Sequence, residues 1–323
     1  MLKIFRSAAL GFAALVSLGV AVASAAGVPI TAKSISWKTK QVEMTVEYPV
    51  TGNKAIDAAL LAFANKQVAD FKAAVKGAGA PLSPDIGYYL DLKYSVERND
   101  GQMLGILFNG DEFLGGAHPG HSEDAFNFLM PDGHQVFLGE ILDGRKGIQK
   151  LSAIATAQLL KEIATGADAA SDADSVKNGA APYTDNFKVF IWLPSKLHLF
   201  FPEYQVASYA AGPQETTIDL AGLKDVIRAD WRAPAPSFDC RKAKTMNEKA
   251  ICGDAALARL DRQVAEVYEA AFRAAYDPAE KKKVLDAQRA FVATTLKCIG
   301  DKPNACLTKA YTARLAILTA PPQ

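Results

Sequence analysis

The 323-residue sequence is poor in several residue types that carry chemistry elsewhere, with four cysteines, four histidines and three tryptophans. Neither sign of charge is in excess, because 36 Lys and Arg stand against 35 Asp and Glu. This balance excludes a strongly basic nucleic-acid-binding protein, and the 50% of hydrophobic residues excludes a wholly disordered chain. The sequence also lacks a P-loop and the motifs G-x-G-x-x-G, H-E-x-x-H and G-x-S-x-G. We therefore expect neither an enzyme nor a bound cofactor.

A single long apolar run occurs in the sequence, at the N-terminus. Lys3 and Arg6 precede an apolar stretch over 8–22, which ends in the small residues Ala23-Ser24-Ala25. A membrane-spanning helix needs roughly 20 residues, and this stretch is shorter. The pattern predicts a cleaved signal peptide over 1–25, no membrane span in the mature chain, and a location in the periplasm or outside the cell.

An exported protein meets an oxidising compartment, so its cysteines are interpreted first as disulfides. Four cysteines allow three connectivities, and no C-x-x-C motif is present. The spacings favour two local bridges, each stabilising the fold by roughly 2–3 kcal/mol in the loop-entropy model. The predicted pairs are Cys240 with Cys252 and Cys298 with Cys306.

A proline-containing segment divides the chain. The run R-A-P-A-P-S over 232–237 is typical of an extended, partly stiff linker, and every cysteine follows it. We predict a first domain over 28–230, a linker over 231–237 and a second domain over 238–320.

The first domain mixes strand and helix patterns. Residues 42–48 alternate polar and apolar, 54–76 have helical spacing of apolar residues, and 88–96 and 103–108 flank an Asp-Gly turn. Residues 166–182, rich in Gly, Ala, Ser and Asp, are expected to form a surface loop. The order of elements predicts an α+β fold with an antiparallel sheet.

The second domain is predicted to be all-helical. Thr245 and Glu248 have the spacing of a capping box, Asp254 can cap a further helix, and Asp277-Pro278 can begin another. Stapled by the two disulfides, these helices are expected to form a small antiparallel bundle.

Several strings in the first domain resemble a known family. They are G-G-A-H-P at 115–119, F-N-F at 126–128, L-G-E-I-L at 138–142 and F-F-P-E-Y-Q-V-A-S-Y-A-A-G at 200–212. Together they are similar to the extracytoplasmic domain of RsiV-type anti-sigma factors, a domain that also accompanies some peptidoglycan deacetylases. The resemblance implies a module that binds lysozyme and carries no chemistry of its own.

The candidate partner-binding residues lie in or beside these strings and are His118, His121, Phe201, Tyr204 and Tyr209. The motif residues expected to shape the histidine-containing turn are Gly115, Gly116 and Pro119. The two histidines, with Glu123 and Asp124, also admit a metal site, but the adjacent glycines and proline favour a tight turn. The aromatic residues have an alternative place in the core of the domain, and the sequence favours that alternative.

The second domain, over 238–318, resembles the LprI-type lysozyme-inhibitor domain through S-F-D-C-R-K-A at 237–243 and E-K-A-I-C at 248–252. The motif residues expected to cap helices or tie them together are Glu248, Asp261, Gln288, Tyr311 and Arg314. Two positions depart from the family pattern, since Phe291 replaces a usual Trp and Thr295 a usual Arg. The threonine removes a guanidinium that could have reached a carboxylate of the partner.

Both resemblances imply a secreted or periplasmic envelope protein that binds or inhibits lysozyme. The alternative is a protein that binds peptidoglycan or another anionic envelope polymer, and an envelope hydrolase is the third hypothesis. Residues 26–237 hold 19 Lys and Arg against 25 Asp and Glu, whereas 238–323 hold 15 against 10. Because complementary charge steers association, the acidic first domain is the expected partner of a basic lysozyme. The basic second domain suits an anionic polymer better.

Overall fold

The computed structural model describes residues 26–79, 87–165, 173–229, 231–275, 277–300 and 303–318. The predicted signal peptide lies outside the described residues. A sheet-rich α+β part precedes a helical part, which confirms the predicted fold class. Within these ranges, no helix combines the length and the apolar character that crossing a membrane requires.

The first sheet has six strands, which neighbour one another in chain order. They are β1 Thr31–Lys38, β2 Val42–Val50, β3 Tyr88–Asn99, β4 Met103–Phe113, β5 Gly120–Leu129 and β6 His134–Gln135. Neighbouring strands are antiparallel except β2 and β3, which are parallel. This pair departs from the predicted antiparallel pattern because helix α1, Lys54–Ala78, lies in the connection between the two strands.

Helix α1 covers one face of this sheet. Asn53 begins it, because the Asn53 side chain accepts hydrogen bonds from the backbone N–H of Ala55 and Ile56 at 3.0 and 3.3 Å. Its apolar side chains recur at helical spacing, and Leu60 and Phe71 are buried against the sheet. This packing forms the first core.

A second sheet contains β7 Phe190–Trp192, β8 Lys196–Phe201 and β9 Gln214–Asp219, all antiparallel. Its core also includes residues of α2 Leu138–Ile141, α3 Gly144–Thr165 and α4 Ala173–Gly179. The prediction of a loop over 166–182 is wrong at α4, and residues 166–172 lie outside the described residues. Val176 is fully buried there, and Ser152 Oγ donates a 2.6 Å hydrogen bond to Ala180 O. These two contacts anchor a segment that has little other apolar bulk.

Two buried polar side chains join the sheets. The Asn127 amide donates to Phe190 O at 2.7 Å, and Asn127 Oδ1 accepts from Trp192 N at 2.9 Å. The Arg98 guanidinium donates to Trp192 O at 2.8 Å. Because these buried polar groups are paired across the interface, they fix how β7 sits against the first sheet.

The helical part contains α5 Met246–Gly253, α6 Ala255–Ala274, α7 Pro278–Thr295 and α8 Pro303–Leu318. Both predicted disulfides are present, with Cα–Cα distances of 5.8 Å for Cys240–Cys252 and 5.5 Å for Cys298–Cys306. The capping box of α5 is formed too. Thr245 Oγ1 accepts from Glu248 N at 3.1 Å, and Glu248 Oε2 accepts from Thr245 N at 2.8 Å. The core residues of this part include Ile251, Leu257, Val264, Leu307 and Tyr311.

The other motif residues of the helical part form two polar ties. Tyr311 donates to Asp261 Oδ1 at 2.8 Å, which joins α8 to α6. Arg314 Nε donates to Gln288 Oε1 at 3.0 Å, which joins α8 to α7. All four side chains therefore serve the packing of helices.

Helix α6 also contacts the α+β part. Arg273 Nη2 lies 2.9 Å from Asp185 Oδ2. Glu266 Oε1 lies so close to Gly139 that a Cβ at residue 139 would stand 1.9 Å from it. Burial raises the pKa of Glu266 to about 7, and the nearby Arg262 opposes this rise.

Candidate functional site

An open cleft of about 580 Å³ has two walls. One wall is formed by the paired strands β4 and β5, over 109–111 and 121–123, and the other by the connection 202–213 between β8 and β9. The polar and aromatic side chains that line the cleft include Asp111, His121, Glu123, Glu203 and Tyr209.

Strand register places Asp111 directly opposite His121 on β4 and β5. Directly opposed residues share a face of the sheet, so their side chains meet, and His121 Nδ1 hydrogen-bonds to Asp111 Oδ1. The other ring nitrogen, Nε2, lies 3.9 Å from Glu203 Oε1. The imidazole therefore lies between two carboxylates, one from strand β4 and one from the connection between β8 and β9.

The tip of the β4–β5 turn is held against the β8–β9 connection. Gly115 and Gly116 have φ values of 85° and 120°, a region that favours glycine. Tyr209 donates a 3.0 Å hydrogen bond to Pro119 O, and His118 Nδ1 donates to the same oxygen at 2.9 Å. The rings of His118 and Tyr209 stack with centroids 3.6 Å apart. These contacts pack the turn against Tyr209, which lines the cleft.

Tyr204 lies on the same connection as Tyr209 and projects beside the cleft. It is 64% exposed, and its hydroxyl lies 3.4 Å from His118 Nε2. Its backbone φ is 67°, a left-handed conformation that costs a non-glycine residue on the order of 1–3 kcal/mol. Such strain persists only where the surrounding structure imposes it, and it is concentrated at functional sites. The fold therefore holds a large aromatic ring in solvent beside the cleft.

The cleft is acidic. The Glu203 side chain is only 8% exposed, and within the described part of the chain its carboxylate accepts no hydrogen bond. Burial, followed by the charge of Glu215, raises the pKa of Glu123. Glu123 Oε2 is buried and has no hydrogen-bond partner among the described residues. Among the described residues that line the cleft, none is a lysine or an arginine.

The structure brings four of the predicted partner-binding residues to this place, namely His118, His121, Tyr204 and Tyr209. It does not bring Phe201 there, because Phe201 is fully buried in the second core, with its ring 6.0 Å from that of Phe187. Asp111 and Glu203 were missed. The register of β4 with β5 would have identified Asp111, whereas no local pattern marks Glu203. Over the described ranges, no group of three or more His, Cys, Asp or Glu is placed to hold a metal ion.

Two segments of the chain match known protein families, and each segment contains residues that line the cleft. Residues 35–121 match a family model described as Deacetylase PdaC, and 141–221 match one described as a protein of unknown function, DUF3298. A curated relative is the peptidoglycan-N-acetylmuramic acid deacetylase PdaC of Bacillus subtilis, 30% identical over 193 residues. The match covers 59% of this chain and 40% of that relative, so the chain spans about two fifths of the relative's length.

Two solved structures of DUF3298 proteins are also similar. One, from Bacteroides fragilis, has a TM-score of 0.45 and 13% identity, and the match covers 64% of this chain and 96% of that one. The other, from Pseudomonas aeruginosa, has a TM-score of 0.44 and 16% identity, and the match covers 63% and 96% of the two chains.

The chain is therefore similar to a model named for a deacetylase over 35–121 and to proteins of unknown function over 141–221, and its curated relative is named for its action on peptidoglycan, a polymer of the cell envelope. The prediction that the chain is not an enzyme is contradicted, because the model matched over 35–121 and the curated relative are both named deacetylases. The envelope families and the two disulfides indicate an extracytoplasmic protein. The RsiV-type and LprI-type resemblances, and lysozyme as a partner, stay predictions.

Proposed function

We propose that this protein binds the glycan strands of peptidoglycan in the cleft between strands β4 and β5 and the β8–β9 connection. The main support is the exposed side chain of Tyr204, which lies beside the cleft on a residue whose backbone φ is strained. Sugar rings pack their C–H faces on aromatic rings, and their hydroxyl and acetamide groups need hydrogen-bonding partners. Asp111 and His121 supply such partners next to the aromatic wall.

Two further observations support peptidoglycan as the polymer that binds. The curated relative is named for its action on peptidoglycan, and an extracytoplasmic protein shares a compartment with that polymer. An open cleft also suits a strand that continues beyond the site at both ends, whereas an enclosed cavity would admit only a chain end.

Sedimentation with purified sacculi tests the proposal. We expect Tyr204→Ala to weaken binding about tenfold, a loss of ~1.4 kcal/mol that is ordinary for an aromatic anchor. Tyr183→Ala is the matched control, because Tyr183 is 51% exposed and does not line the cleft. If the wild type and Tyr204→Ala bind sacculi equally well, the glycan does not bind at this cleft.

Deacetylation is the second candidate function, raised by the name of the relative and favoured by the Asp111–His121 pair. In that reaction the oxygen of a water attacks the acetamide carbonyl carbon and the C–N bond breaks. Acetate and a free amine leave, and a histidine oriented by a carboxylate can carry the proton from water to the amine. The test is acetate release from sacculi by the wild type and by His121→Gln. Release that is equal in the two proteins would rule out His121 as the base, and no release by the wild type would rule out the activity.

Lysozyme is the partner that the RsiV-type resemblance implies. The exposed Tyr204 and the acidic cleft beside it support this partner, since an aromatic anchor and complementary charge are typical of interfaces with basic proteins. Titration with a c-type lysozyme distinguishes the two ligands. Micromolar binding that Tyr204→Ala weakens, together with unchanged binding to sacculi, would favour lysozyme over the glycan.

A further inference from the structure

The charges of the cleft do not balance. Three carboxylates line it, from Asp111, Glu123 and Glu203, and the imidazole of His121 is the sole basic side chain among the described residues of the lining. That imidazole already hydrogen-bonds to Asp111. The cleft therefore has more hydrogen-bond acceptors than donors among its charged side chains, and more negative than positive charge.

Glu203 marks where a ligand would bind. Its side chain is more than nine-tenths buried, and among the described residues its ion-pair contact is a loose one, to His121 Nε2 at 3.9 Å, beyond hydrogen-bond distance. Buried carboxylates are normally paired or hydrogen-bonded, because removing their charge from water is costly. Together with Glu123 Oε2, which is buried and has no hydrogen-bond partner among the described residues, the Glu203 carboxylate offers acceptors to a cationic ligand that enters the cleft.

The surroundings of these carboxylates indicate which ligand chemistry the cleft would accept. A primary ammonium has three N–H donors and no acceptor, so it matches a set of carboxylates with free lone pairs. The ring of Tyr209 lines the same cleft, and aromatic faces attract cations over short distances. A neutral acetamide would offer a single N–H donor and would leave the negative charge uncompensated.

We infer that the cleft selects glycan that carries a free amino group, the de-N-acetylated amino sugar, over fully N-acetylated glycan. This inference rests on the proposed binding of glycan in the cleft and names the sugar chemistry that it prefers. An amine of the peptide portion of the polymer shares the ammonium chemistry, but it lacks a sugar ring to pack on Tyr204 and Tyr209. The sugar is therefore the favoured source.

Calorimetric titration with three probes tests the inference, namely a glucosamine tetramer, an N-acetylglucosamine tetramer and Nα-acetyl-lysine methylamide. We expect the full-length wild type to bind the glucosamine tetramer at least tenfold more tightly than the N-acetylated tetramer. Added salt should reduce that ratio, because ions screen the charge. The Glu203→Gln variant should bring the ratio close to one, whereas Glu97→Gln, an exposed carboxylate of β3 outside the cleft, should keep it.

The outcomes separate the inference from the proposed function. Equal affinity for the two tetramers, or preference for the N-acetylated one, overturns the inference while leaving glycan binding in place. Failure of both tetramers and of sacculi to bind overturns the proposed function as well. Binding of the lysine derivative as tight as that of the glucosamine tetramer supports recognition of ammonium and overturns the sugar as its source. The wild-type ratio decides the inference even if Glu203→Gln does not fold.

Discussion

Tyr311 donates a 2.8 Å hydrogen bond to Asp261 Oδ1 inside the helical part. Asp261 Oδ2 accepts two further bonds, from the backbone N–H and the hydroxyl of Ser237, at 2.6 Å each. One buried carboxylate thus joins α6, α8 and the segment that precedes the first disulfide. Burial, followed by the charge of Asp261, raises the pKa of Tyr311 far above its ordinary value, so its hydroxyl keeps its proton.

Removing this hydroxyl should destabilise the helical part. We expect Tyr311→Phe to lower the free energy of unfolding by about 1.5–3 kcal/mol, because a buried hydrogen bond to a charged group is lost. Urea titration followed by circular dichroism measures the change. Tyr183→Phe, which removes an exposed hydroxyl, should stay within about 0.5 kcal/mol of the wild type. An equal effect of the two substitutions would contradict a special role for Asp261.

Truncation of two nearby aromatic residues should affect the free energy of unfolding to very different extents. Phe201→Ala should cost about 3–5 kcal/mol, because Phe201 is fully buried against Phe187. Tyr204→Ala should change the free energy of unfolding little, since most of its side chain is in solvent. Thermal unfolding of the two variants checks this contrast. A large loss of stability in Tyr204→Ala would mean that its ring is structural.

The strained backbone of Tyr204 leads to a separate prediction. Tyr204→Gly should leave the free energy of unfolding unchanged or raise it by up to about 1 kcal/mol, because glycine adopts a φ of 67° without strain. The same variant should bind sacculi more weakly, since the exposed ring is lost. Stability and binding measured on one preparation test both statements. Gly212→Ala is the opposite substitution on the same connection. It should lower the free energy of unfolding, because Gly212 has a φ of 69°, which alanine adopts only with strain.

The contact between α6 and Gly139 should weaken as the pH rises. Burial raises the pKa of Glu266 from 4.5 to about 7, so the folded protein holds a proton that the unfolded chain releases within this interval. The free energy of unfolding should therefore fall between pH 5 and pH 8, by on the order of 1–3 kcal/mol. Glu266→Gln should abolish that part of the fall.

Urea titrations at pH 5 and pH 8 measure this difference for each variant. Glu269→Gln is the control, because Glu269 lies on the same helix and its side chain is 63% exposed. If the wild type and Glu266→Gln lose the same stability between the two pH values, Glu266 is not the group responsible.

Features that depend on a few neighbouring residues were predictable. The caps at Glu248, Asp254 and Asp277 and the Asp-Gly turn after β3 all use contacts within six residues, and the sequence shows those residues side by side. The disulfides span separations of 12 and 8 residues, so chain spacing favours them over distant pairs. Helix α4 escaped prediction, because its docking depends on only two buried residues, Val176 and Gly179, and on contacts with other elements.

The sequence by itself determined the α+β and helical parts, the capped helices, the paired cysteines and the strings that resemble envelope families. The cleft was decided by the tertiary structure alone. Register opposes Asp111 and His121 across two strands, and the return of the chain after β8 brings Glu203 to the same place. Tyr204 and Phe201 show the same distinction, since these neighbouring aromatic residues are exposed and buried respectively. Burial and charge balance are properties of side chains assembled from distant parts of the chain, and local sequence patterns do not contain them.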